Sequence, residues 1–585
     1  ELLTSVRTLM RTHGLAAYFC PNNDFHSSEY LSDYDKRMPF ISGFKGSNGQ
    51  MLITENTALL WTDGRYWLSA EKQLFEGWSL QKMKRGEPTY FEWITQNLPS
   101  GSVIGFDPFL LPAKSAEART KYFEEKGYTF KPVLENLINL VWQDRPPFPS
   151  NKVFEHPESF AGDSVEVKVG KVLEKLSTKY LFTGVLDEIA WVLNLRGNDI
   201  EYNPVFFAYL LIEKAEPKPL LHLFIEASKV ENVAAYLEAN GVVLHPYDSV
   251  TEFLSSLEGE ITTDADECSL GLYQAMKKPK SEDGIISALK SVKTAREVEG
   301  MRHCHIEDGV AVVRYLAWLK KELDEGHEWN EFSAAEELEK FRAQGENFVG
   351  LSFDTISASG ANAAVIHYKP EPDTAVKLEK SKIYLLDSGG QYWDGTTDIT
   401  RTVHFGEPTD AEKDANTRVL LGNLDLEKLI WPASSQLSGS DMDLLARRRL
   451  WEVGQDYNHG TGHGVGYFLN VHEGPQSMSK YSKVVLKPGM NVTDEPGYYE
   501  AGSFGIRIEN VLFVQEDGSN YRFENVTIAP YDRALIKYSL LTEFEFNYID
   551  EYHAKVWALL SPKLEALGDT LALEWLREQT KPLRA

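Results

Sequence analysis

Residues 459–475 read HGTGHGVGYFLNVHEGP and place three histidines within fourteen positions. His459 and His463 are four apart, the spacing at which one helix face presents two metal ligands. The local chemistry argues against that helix. Gly460, Gly462, Gly464 and Gly466 each cost about 1 kcal/mol against alanine in a helix interior, and Gly460 stands where a zinc-protease helix needs its glutamate. Alternating glycines predict an extended or irregular segment where backbone comes close to something else. Residues two apart share a face of such a segment, so His459 and His463 are expected to point the same way. Any further metal ligands must come from other stretches.

Three such stretches exist. YLLDSGGQYWDGTTDITRT (384–402) carries Asp387, Asp394 and Asp398. Its glycines and the strand-like DITRT predict a strand pair on whose arms Asp387 and Asp398 converge, with Asp394 as a turn residue. NVTDEPGYY (491–499) places Glu495 before a Pro-Gly turn, and FGIRIENV (504–511) places Arg507 and Glu509 on one face of an otherwise apolar strand. A charge in a buried strand must be paired or bound to a metal. Four carboxylates and one histidine form a hard, oxygen-rich shell that suits Mn²⁺ or a similar ion better than structural zinc. Five ligands suit two ions about 3.5–4 Å apart that share carboxylates.

These ligands need a scaffold, and 585 residues are enough for several domains. GLAAYFC (14–20), GQMLITENTALLWTD (49–63) and GSVIGFD (101–107) read as a strand, a hairpin and a strand. DFHSSEYLSDYDKRMPFISGF (24–44) reads as helical at its polar start. The prolines of RPPFP (145–149) predict a linker. YLFTG (180–184), VFFAYLLIEKAEPKPLLHLFI (205–225) and EITTDAD (260–266) then repeat the first plan. The expected division is 1–145, 146–291 and 292–585: two related α/β domains followed by the part that holds the chemistry. The third part opens with helical spacing from Val298 to Leu319 and ends in a Trp- and Leu-rich tail with helical periodicity.

Composition excludes some partners. The net charge of −27 argues against a nucleic-acid surface. No apolar run approaches the roughly 20 residues of a membrane span. Three scattered cysteines fit a reducing compartment. The chain begins at Glu1, which is compatible with a removed leader. Asn491 and Asn525 head Asn-x-Thr sequons inside strand-like stretches and read as chance matches.

The ordered set Asp387, Asp398, His463, Glu495 and Glu509 resembles the dinuclear site of the methionine aminopeptidase, aminopeptidase P and prolidase family, with its pita-bread fold. FISGFKGSNG (40–49), LLWTDGRYW (59–67), the RPPFP linker and the four site stretches resemble the eukaryotic cytosolic Xaa-Pro aminopeptidase branch. The resemblance covers essentially the whole chain. It implies two creatinase-like N-terminal domains, a C-terminal pita-bread catalytic domain and a homodimer formed through the helical tail. It also implies a cytoplasmic enzyme that hydrolyses the bond before a proline at the second position of peptides, using a hydroxide that bridges two metal ions. Asp387 would chelate one ion, His463 and Glu495 the other, and Asp398 and Glu509 both. Glu495 would shuttle the proton to the proline nitrogen. His367, in AAVIHY, would lie near the scissile bond, His472 would stabilise the oxyanion, and His459 would line the proline site. Arg507 would hold the network of the bridging glutamate. A prolidase restricted to dipeptides shares the five ligands and is the nearest alternative. A non-catalytic binding protein of this fold would lack them.

Overall fold

The computed structural model describes residues 1–584. The chain forms two compact units, one of Glu1–Pro157 with Asp163–Leu289, the other of Glu158–Gly162 with the chain from Lys290 onward.

The first unit contains two six-stranded sheets built on one plan. In the first sheet the order is Trp78–Lys82, Ala58–Thr62, Gln50–Thr54, Ala17–Pro21, Val103–Phe106, Thr129–Pro132. In the second it is Val242–His245, Leu220–Phe224, Tyr209–Glu213, Tyr180–Thr183, Ile261–Thr263, Pro279–Ser281. Strand directions also agree position by position: the two central pairings are antiparallel and the outer three are parallel in both sheets. The repeat read from hydrophobic runs is thus present as a repeated topology. One expectation fails. Residues 24–32 form no helix, because the Asp24 carboxylate accepts the backbone N–H groups of His26 at 2.8 Å and Ser28 at 3.0 Å and holds a turn. A 3₁₀ turn follows at Asp33–Asp35, and α-helix begins only at Arg37.

In the second unit a capping box at Thr294 and Glu297 starts the helix Ala295–Asp324. This helix and the two C-terminal helices, Glu543–Ala566 and Thr570–Thr580, pack around short sheets. Val310, Val313, Ile549, Val556, Leu560, Leu564 and Leu576 share one core with Ile383, Leu385 and Ile508. The apolar stripe of the tail therefore belongs to the floor beneath the site strands. Ile383–Ser388 is paired on both edges, by Ile356–Ser359 and Ile399–His404, and every one of its residues is buried. Asn491 and Asn525 are buried too. Asn491 exchanges hydrogen bonds with the backbone of Val465 at 2.8 and 2.9 Å, which is the structural use of that sequon asparagine.

Candidate dinuclear metal centre

The strand pair predicted for Asp387 and Asp398 is present. Asp387 lies in Ile383–Ser388 opposite Thr400, and Asp398 immediately precedes Ile399–His404. Asp394 lies in the intervening turn and accepts from His303 Nδ1 at 2.6 Å. Glu495 follows the strand Asn491–Asp494, its backbone N–H donating to Thr461 O at 2.7 Å. Glu509 falls between the strands Phe504–Arg507 and Asn510–Asp517, bridged to Thr400. The single strand expected through Arg507 and Glu509 is therefore broken, and that break lets the two charges diverge.

The histidine segment is strand at Gly462–Gly464 and again from Glu473 onward. The glycines serve close backbone contact: a Cβ on Gly462 would stand 1.8 Å from Thr493 O, and one on Gly464 would stand 2.4 Å from Glu473 O. His459 lies before this strand and does not share a face with His463. Its Nε2 meets Tyr499 OH at 2.7 Å. His463 Nε2 reaches Asp398 Oδ2 at 3.2 Å and Glu495 Oε1 at 3.3 Å, while Nδ1 lies 2.7 Å from Gly464 O. His472 stands edge-on to His463 with ring centroids 4.2 Å apart. His367 is half-buried in the turn after the 3₁₀ segment Gly360–Ala364.

Three ligand triads interlock, each with its atoms within 4.8 Å of one another: Asp387–Asp398–Glu509, His463–Glu495–Glu509, and Asp398–His463–His472. Asp398, His463 and Glu509 each belong to two of them. Arg507 reaches this cluster through direct hydrogen bonds to Asp387 and Tyr499. Its Nε and Nη2 donate to Asp387 Oδ2 at 3.1 and 2.8 Å, and its Nη1 donates to Tyr499 OH at 2.9 Å. Glu509 accepts from Thr400 Oγ1 at 2.7 Å, and Glu495 Oε1 accepts from Thr493 Oγ1 at 3.0 Å. Arg401, buried beneath, ties the Glu509 carbonyl at 2.9 Å to Ala529 O, while its Nη2 lies 3.1 Å from the Tyr552 hydroxyl.

Crowding these carboxylates has an electrostatic consequence. Burial, and then the neighbouring Asp398 and Glu495, push Asp387 up to about 7 against the pull of Arg507. Burial and three acidic neighbours push Glu509 well above the usual carboxylate range. Burial opposes the imidazolium form of His463, but the hydrogen bonds to Asp398 and Glu495 hold its proton well above the ordinary value. Burial likewise works against ionised Glu495, and His463 overcomes it, holding that carboxyl at about 2. Asp387 Oδ1 is buried and has no hydrogen-bond partner. An orphaned carboxylate oxygen, a hard donor set and a histidine fixed through Nδ1 fit two divalent cations.

The Tyr499 relay fixes a tautomer. Arginine can only donate, so Tyr499 OH accepts from Arg507 and donates to His459 Nε2. The His459 proton then lies on Nδ1, which donates to Gly460 O at 2.7 Å. Burial brings His459 down to about 4 and raises Tyr499 to about 12, so both are neutral near pH 7. Sequence reasoning left out Tyr499, Thr400 and Thr493. Their partners lie on other strands, and only the YY of PGYY hinted at the first.

Comparisons with known proteins agree with this layout. Residues 299–516 match the model of metallopeptidase family M24, and 519–583 match the C-terminal region of peptidase M24. Residues 3–140 and 144–297 each match the creatinase/prolidase N-terminal domain. The chain is 44% identical over 608 residues to a probable Xaa-Pro aminopeptidase P of Laccaria bicolor, covering 100% of this chain and 93% of that one. It is 41% identical to Xaa-Pro aminopeptidase 1 of Dictyostelium discoideum, covering 99% and 96%. A crystal structure of an X-prolyl aminopeptidase from Caenorhabditis elegans, described as a cytosolic enzyme with a di-nuclear active site, matches with a TM-score of 0.96 at 35% identity over 99% of both chains. The fold is the expected mixed α/β one, with creatinase-like N-terminal domains and a pita-bread catalytic part.

Proposed function

This chain belongs to metallopeptidase family M24, and we propose that it is an Xaa-Pro aminopeptidase that hydrolyses the first peptide bond of substrates with proline at the second position. The observation that carries this reading is the interlocking of Asp387, Asp398, His463, Glu495 and Glu509, with His472 beside them, in three triads. Asp387 would hold one ion, His463 and Glu495 the other, and Asp398 and Glu509 both. The oxygen-rich set favours Mn²⁺. When bound, the ions supply Lewis acidity and lower the pKa of a water at neutral pH.

The chain's own residues handle position and protons. Glu495, anchored by Thr493, takes the proton of the attacking water and delivers it to the proline nitrogen. His472 and His367 donate to the carbonyl oxygen as it gains charge. His459, neutral and fixed as one tautomer, forms a wall for the proline ring. Arg507 holds Asp387 in orientation. We place the domain boundaries at 1–145, 146–291 and 292–585. We place the enzyme in the cytoplasm, supported by three buried unpaired cysteines and by the relative described as cytosolic. Among the described residues no helix is long and apolar enough to cross a membrane. We also propose a homodimer; Phe544, Leu567 and Leu571, exposed on the C-terminal segment, support it.

The test is release of the first residue from an Arg-Pro-Pro peptide and from an Xaa-Pro dipeptide, with chelated protein and after Mn²⁺ is restored. Mn²⁺-dependent cleavage of the longer peptide is expected. Preference for the dipeptide would make the enzyme a prolidase. Cleavage of neither, with two ions bound per chain, would overturn the specificity.

A further inference from the structure

We propose that Glu473 is a positioning residue for His472, held by a buried clamp with Lys290 and Lys293. The proposal rests on the reading of His472 as the donor to the developing oxyanion. The Glu473 side chain is 1% exposed and those of Lys290 and Lys293 are 3% and 0% exposed. Lys290 Nζ donates to Glu473 Oε2 at 2.6 Å, and Lys293 Nζ donates to Glu473 Oε1. Lys293 also fixes its own surroundings. Its Nζ donates to Lys290 O at 3.2 Å, and its backbone N–H donates to Gly489 O at 2.9 Å, in the loop that leads into the strand ending before Glu495.

The other end of Glu473 is fixed by the ligand strand. Its backbone pairs with Gly464, the neighbour of His463, after a shift of register from His463↔Ser477. Absence of a Cβ at Gly464 permits this approach. Glu473 opens the strand Glu473–Met478, and His472 is the bend residue immediately before it. With the Glu473 side chain held by the lysine pair, the start of that strand is fixed, and the adjoining His472 ring stands edge-on to His463 with centroids 4.2 Å apart.

Stability alone is a poor account of such a clamp. Removing a carboxylate and two ammonium groups from water costs roughly what their attraction returns, and apolar residues of equal volume would fill the space as well or better. What the charges add is a single permitted orientation for the residue beside them. The clamp joins Lys290 and Lys293, which precede the unit's first long helix, to position 473, so a separation of 183 and 180 residues in sequence is closed at one buried carboxylate.

The experiment is a double-mutant cycle of Glu473→Gln with His472→Ala, reading kcat, KM and bound metal with Mn²⁺ and an Arg-Pro-Pro peptide. Glu473→Gln is expected to lower kcat by about 10- to 100-fold, as misplacement of a catalytic group does, with metal content unchanged and KM within about 3-fold. In the His472→Ala background the same substitution is expected to change kcat by less than about 2-fold, because the residue through which it acts is gone. An equal loss in both backgrounds, or no loss in the first, overturns the positioning role. Normal kcat in His472→Ala alone overturns the oxyanion reading instead, so the two failures are distinct. Should Glu473→Gln not fold, Lys290→Met and Lys293→Met each retain one ion pair and enter the same cycle with the same expected and refuting results.

Discussion

Chelation should invert the pH dependence of stability in the catalytic unit, and Asp387 sets the size of the effect. Its carboxyl moves from an ordinary 3.8 to about 7 in the metal-free fold. A group with a raised folded value contributes stability that is fully present below its unfolded value and is lost as pH rises through the folded one. The contribution at 1.36 kcal/mol per pH unit is about 4 kcal/mol, lost between about pH 4 and pH 7. About 3 kcal/mol of that falls between pH 5 and 7.5. At about 2 °C per kcal/mol for a unit of this size, the chelated protein should melt about 6 °C lower at pH 7.5 than at pH 5. His463 acts in the same direction at higher pH, its proton being held well above the usual histidine range. Metal loading reverses the sign, because ligands bind the ions deprotonated and binding strengthens as pH rises. Scanning fluorimetry of wild type and Asp387→Asn, each chelated and Mn²⁺-loaded, measures this. Asp387→Asn removes the carboxyl and should flatten the chelated profile by about 6 °C. A chelated wild type whose melting temperature is flat or rising relative to Asp387→Asn would refute the account of crowded carboxylates.

Glu495→Gln should keep the fold and lose at least about 10²-fold in kcat; a near-normal rate would remove Glu495 from proton transfer. Thr400→Val deletes the 2.7 Å hydrogen bond to Glu509 and should weaken metal binding about 10- to 100-fold. Competition with a fluorescent chelator measures that loss, and unchanged affinity would show that Glu509 is oriented otherwise. Tyr499→Phe strands Arg507 Nη1 and His459 Nε2 in a buried site and should cost about 2 kcal/mol or more; equal thermal stability would break the relay. Asn491, with 0% exposure and both amide ends bonded, should remain unmodified when the chain is secreted from a glycosylating host. A glycan found on Asn491 by peptide mass spectrometry would contradict its buried role.

Much of this molecule could be read from local patterns. Each metal-ligand candidate lies in a short word whose glycines, prolines or lone charge depart from ordinary core composition, so Asp387, Asp398, His463, Glu495 and Glu509 stood out before any geometry was known. The repeated sheet plan was legible because its strands are apolar runs separated by turns. Helix at 24–32 was wrongly expected, because an Asp24 side chain competing for backbone N–H groups looks in sequence like any polar helix start. The partner of Arg507 was also beyond reach. Alternation along FGIRIENV puts Arg507 and Glu509 on one face, but the strand ends between them and sends the guanidinium to Asp387, 120 residues earlier. Long-range polar pairs such as Lys290 with Glu473 leave no periodic trace.

Arg401 also governs when the centre can come into being. Synthesis runs from the N-terminus, and domains fold as their sequences become complete. All five metal-ligand candidates have been made once Glu509 is added, yet Arg401, three residues after Asp398, still awaits Ala529 and Tyr552. Until those residues arrive, the strand pair has no floor, and the crowded carboxylates favour keeping it open. Metal binding is therefore expected to follow synthesis of the helix Glu543–Ala566, which carries Tyr552.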